Sequence, residues 1–91
     1  MWYAFTLDYF VAESKTKKEL IDKLPIGALP YKVKRYGAGR YEILEQDESE
    51  KSFWIKTYYI YDSLFKADNE GFKMLYDYYL LELKGENKWN L

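Results

Sequence analysis

The chain has 91 residues, 48% apolar and 32% charged, with 14 Lys and Arg against 15 Asp and Glu and a formal net charge of -1. That makes one globular domain, residues 1–91, too apolar for disorder and too short for a second core. The absence of Cys and His removes disulfide frameworks, zinc fingers and every thiol or imidazole mechanism.

From Trp2 to Ala12 apolar residues alternate, with Tyr3, Phe5, Leu7, Tyr9 and Val11 on one side and Trp2, Ala4, Thr6 and Asp8 on the other. This period of two predicts a strand, and its second, fairly apolar face predicts a central position. Thr16 followed three residues later by Glu19 is a capping box. The stripe Leu20, Ile21, Leu24 then predicts a short helix that Pro25 ends, with a loop to Pro30. Tyr31–Tyr36 and Arg40–Glu45 flank Gly37-Ala38-Gly39, the pattern of a hairpin with a bulge.

Gln46 to Glu50 reads as an exposed acidic turn, and Ser52 to Tyr61 as a strand with aromatics on both faces. The period then changes. Phe72, Leu75, Tyr76, Tyr79, Leu80 and Leu83 form a helical stripe, with Asp68 or Asn69 as its cap and Gly85 as its stop. Leu64 and Phe65 suit a preceding turn, and Trp89 is expected to dock on the domain. The order strand, helix, three antiparallel strands, helix predicts a single small α+β domain with its helices packed on one face of an antiparallel sheet.

The near-zero net charge conceals segregation. Residues 14–40 carry eight Lys and Arg against Glu19 and Asp22, whereas residues 41–50 carry five acids and no base. The basic block includes Lys15, Lys17 and Lys18 at the first helix and Lys32, Lys34, Arg35 and Arg40 on the hairpin. One reading is a solvated face; the other is a docking patch for an acidic partner surface or for phosphate. Tyr31, Tyr36 and Tyr41 interleave with these cations as single-stranded nucleic acid would require. Two arginines in the chain are few for phosphate forks, however.

Catalytic patterns are missing. None of Ser14, Ser49, Ser52 and Ser63 stands in a nucleophile elbow, and Gly37-Ala38-Gly39 is neither a P-loop nor a dinucleotide fingerprint. Asp68-Asn69-Glu70-Gly71 would place the first ligand of a calcium loop at Lys66, which fails. A non-enzymatic protein without metal or cofactor is the expectation. The apolar N-terminus lacks a basic leader and carries Asp8, so a cytoplasmic protein without membrane association is expected.

Nineteen aromatics, at roughly 150–250 Å² each, exceed what a core of this size absorbs beside Leu, Ile and Val. About two-thirds of the eleven tyrosines are expected to pack inward, with Tyr78 and Met74 outside the helical stripe. A sheet face bearing Trp54, Lys56 and Tyr58, beside Lys32, Lys34, Arg35, Tyr36 and Arg40, has the residue types of a protein-binding hot spot.

The leading expectation is therefore a protein-binding module. Its build suits a small phage- or plasmid-encoded inhibitor that occludes the surface of a host enzyme or defence complex. A single-stranded nucleic-acid binder and a homodimeric structural protein are the alternatives. Nothing in the residues identifies the partner.

Overall fold

A computed structural model of the chain describes residues 1–26, 31–46 and 54–89. Five strands and three helices follow in the order β1 (Trp2–Phe5), β2 (Phe10–Ser14), α1 (Lys17–Lys23), β3 (Tyr31–Gly37), β4 (Arg40–Gln46), β5 (Trp54–Tyr61), α2 (Leu64–Asn69) and α3 (Lys73–Trp89). The strands form one antiparallel sheet in the order β2-β1-β5-β4-β3, with the helices packed against it. This is the α+β domain that the periodicities predict. The expected loop at 27–30, the acidic turn at 47–50 and the strand start at 52–53 lie outside the described residues.

The N-terminal alternation belongs to two strands rather than one. Thr6 Oγ1 accepts from the backbone N–H of Asp8 (3.2 Å) and Tyr9 (3.1 Å), and Thr6 N–H donates to the Tyr9 carbonyl (2.9 Å). This threonine turn reverses the chain. Phe5 then pairs with Phe10, and the register shifts before Ala4 meets Ala12. The alternation does not carry through the turn: Phe10 shares the face of Phe5, whereas the single-strand reading put Phe5 with Val11, which packs with Ala4 on the other face.

Helix α1 begins as expected, with Glu19 N–H donating to Thr16 Oγ1 at 3.1 Å. Ser63 caps α2 by accepting from Lys66 N–H at 3.2 Å, so Asp68 and Asn69 end that helix instead of capping the next. Gly71, at φ +84°, makes the corner into α3. Gly85 does not stop α3, which continues to Trp89. A single glycine costs a helix about 1 kcal/mol, and helix formers stand on both sides of this one.

Two cores lie on opposite sides of the sheet. Ala4, Ile43, Tyr58 and Ile60 meet Leu20 and Leu24 of α1 and Ile26 beyond it. Phe5, Phe10 and Tyr61 meet Ala67 of α2 and Phe72. Consecutive strand residues such as Ile60 and Tyr61 point to opposite faces, so α1 covers one face and α2 and α3 the other. The helices are thereby divided between two faces instead of sharing one. Fewer rings than expected reach the interior: Tyr58 and Tyr61 are buried, four tyrosines are half-buried and five are exposed. No helix among the described residues is long and apolar enough to cross a membrane.

Candidate protein-interaction surface

The helices cover the sheet unevenly. Phe72 stacks near Tyr59 (ring centroids 4.9 Å) and Tyr61 (5.7 Å), and Tyr76 and Tyr79 close over Phe10. These contacts fall on β5 and β2, and Phe5 of β1 between them also meets Phe72. Toward β4 the cover thins, and on β3 it ends: Tyr31 to Tyr36 are all exposed.

The hairpin that carries this bare region is anchored at its tip. Gly39 adopts φ +70°, and a Cβ there would land on the Asp62 carboxylate. Asp62 N–H donates to the Gly39 carbonyl (3.0 Å), and Lys66 Nζ bridges the Ala38 carbonyl and Asp62 at 2.8 Å each. Arg40 is ion-paired with Glu70, which also accepts from Tyr61 Oη at 2.8 Å. Burial pushes the Tyr61 phenol up to about 12 from its ordinary 10, against the nearby Arg40 cation.

Register sorts the predicted binding residues. Lys34 lies opposite Glu42, which lies opposite Tyr59, while Lys32 lies opposite Leu44. Lys32, Lys34, Glu42 and Tyr59 therefore share the α2–α3 face. Tyr36 sits at the bulge before Gly37 and is 49% exposed. Lys34 Nζ lies 5.0 Å from the centre of the Tyr36 ring, and side-chain hydrogen bonding with Tyr36, more than the charge of Glu42, raises the lysine above its usual value. With Arg40, Glu42 and Tyr59, Tyr36 also lines a shallow pocket of about 190 Å³.

Arg35 shares the opposite face of β3 with Tyr31 and Val33, and its Nε donates to the Gly37 carbonyl at 3.3 Å. The structure thus gathers Lys32, Lys34 and Tyr36, with Arg35 behind them.

Of the other predicted residues, Arg40 lines the Tyr36 pocket, whereas Tyr58, Lys56 and Trp54 stand on β5, two strands away from β3. Tyr58 is fully buried and does not display its ring on the surface. β5 is a central strand, and α1 covers the face that Tyr58 shares with Ile60. Burial raises its phenol, whose Oη has no hydrogen-bond partner among the described residues. Lys56 donates to Tyr9 Oη at 3.0 Å, beside the Thr6–Tyr9 turn, and that bond raises its pKa. Trp54 lies on β5 opposite Gln46. Arg40 is engaged by Glu70.

The acidic block divides as well. Glu42 lies opposite Lys34, and the buried Glu45 lies opposite Lys56, so neither belongs to a solvated turn. The three tyrosines of the basic block form no single stacking platform. Tyr31 and Tyr41 lie on the α1 face, where Lys17 Nζ sits 3.9 Å from the Tyr41 ring centre, and Tyr36 lines the pocket on the other.

Sequence reasoning gave Tyr31, 49% exposed, only a stacking role and overlooked Val33, 44% exposed, and the open edge itself. The signal was present: strand residues with lysines at alternate positions and a further cation beside them mark an edge strand. Among the described residues no group of three or more acidic side chains is placed to hold a metal ion. The chain matches no family model, no curated protein and no solved structure, so its own residues carry the functional argument.

Proposed function

We propose that the protein is a non-enzymatic binding module that acts by occupying the surface of a protein partner, as a small inhibitor of a host enzyme or defence complex would. One observation carries this reading: β3 is exposed from Tyr31 to Tyr36, while the opposite half of the sheet is covered on both faces. Tyrosine offers large contact area with little rotamer loss, and its neighbours Lys32 and Lys34 supply a charged rim. The anchored tip holds the hairpin in a fixed pose, which reduces the ordering cost of binding.

The test is affinity capture with the wild-type chain and with the double substitution Lys34→Glu, Tyr36→Ala. A single stoichiometric partner retained by the wild type and released by the double variant, with unchanged circular dichroism, supports the module. Equal retention by both removes this surface from consideration.

A further inference from the structure

We infer that the outer edge of β3 accepts an acidic, extended segment of a partner protein as a sixth, antiparallel strand. This inference rests on the binding-module reading and specifies the chemistry of what is bound. β3 stands last in the sheet, and among the described residues only β4 pairs with it. Alternate backbone N–H and C=O groups along Tyr31–Gly37 therefore point outward without a strand to meet them. A strand of seven residues with exposed aromatic and β-branched side chains is long enough to template an added strand.

The charges select the occupant. β3 carries Lys32, Lys34 and Arg35 and no acid. The acids on the adjacent strand are Glu42, opposite Lys34, and Glu45, which is buried opposite Tyr31. A second copy pairing edge to edge would bring these cations against their own kind, which disfavours self-addition. An acidic strand meets them favourably.

Register also predicts the order of side chains. An antiparallel strand, followed from opposite Arg35 to opposite Tyr31, should read acid, acid, apolar, acid, apolar. The acids would face Arg35, Lys34 and Lys32, and the apolar residues would face Val33 and Tyr31. Among the described residues Arg35 bonds through Nε alone, to the Gly37 carbonyl, which leaves its terminal nitrogens for the first of these acids.

The probe is a fluorescein-labelled peptide with that order, measured by anisotropy against the full chain. Three comparisons accompany it: the same peptide N-methylated at alternate residues, a lysine-for-glutamate version, and a labelled oligothymidylate. The expected result is saturable binding, weakened at least tenfold by N-methylation and by Lys32→Glu with Lys34→Glu, and absent for the lysine peptide.

Binding within twofold after N-methylation overturns strand addition, because charge alone would then suffice. Preference for the oligothymidylate overturns both this inference and the protein-binding reading. If the acidic peptide fails to bind while the captured partner is still released by Lys34→Glu, Tyr36→Ala, the strand is wrong and the module stands.

Discussion

β2 and β3 are the two edges of one sheet, and they are built to opposite ends. β2 is short, and α1 and α3 pack on its two sides. Its Phe10 sits among Phe5, Tyr76 and Tyr79, Lys23 Nζ donates to the Glu13 carbonyl at 3.0 Å, and the Glu13 carboxylate accepts from Tyr76 Oη at 3.2 Å. β3 is longer, carries three cations and is exposed at every residue from Tyr31 to Tyr36.

Position in the strand order is therefore not what opens an edge; helix coverage is. Seven-residue α1 is about 10 Å long, and strands lie ~4.8 Å apart, so it shields only part of a five-stranded sheet. The closed edge contributes stability, and the open one contributes accessible backbone.

The largest effect should come from the closed side. Phe5 is fully buried and touches Phe10, Tyr61 and Phe72, so Phe5→Ala should cost about 3–5 kcal/mol in a denaturant titration. A cost below about 1 kcal/mol would mean that this half is not the stabilising one.

Next comes the joint between the halves. Gly39→Ala meets both a positive φ and the Asp62 carboxylate, and should cost about 1–3 kcal/mol. It should also weaken binding at β3, because the tip loses its anchor.

Alkaline pH should loosen the closed half first. A phenol whose pKa is raised in the fold stays protonated there while the unfolded chain ionises near its ordinary 10. Stability is therefore level below pH 10 and falls between pH 10 and about 12. Tyr3, Tyr59 and Tyr76 are raised by burial too and act in the same direction. Denaturant midpoints at pH 8, 10 and 11 measure the fall, which Tyr61→Phe should reduce.

The smallest effect on stability belongs to the open edge. Lys32→Ala and Lys34→Ala should each shift the unfolding free energy by no more than about 0.5 kcal/mol, while binding is lost. A larger destabilisation would mean that β3 serves the core after all.

Much of the fold was legible in local pattern. Thr16 and Glu19 marked the start of α1, the glycines between Tyr36 and Arg40 marked the hairpin, and the stripe from Phe72 marked α3. The turn at Thr6 was not legible, because no Gly or Pro interrupts the run from Trp2 to Ala12. The site was legible in part. Alternation placed Lys32 and Lys34 on one face, and the bulge next to Gly37 set Tyr36 beside them. Nothing local distinguished Tyr58, which is buried, from Tyr36, which is not. Nor did anything local reveal that Arg40 would meet Glu70, thirty positions along the chain.

Composition settled that these 91 residues supply no thiol and no imidazole, since a residue type that is absent contributes no group. Periodicity marked most of the strands and helices, though not the turn at Thr6 or the end of α3, because those preferences act over a few neighbouring residues. Which rings are covered, which lysines stay free and which edge stays open depended on strand order and on how far each helix reaches. Those are properties of the assembled sheet, because burial is decided by the element that packs above a side chain.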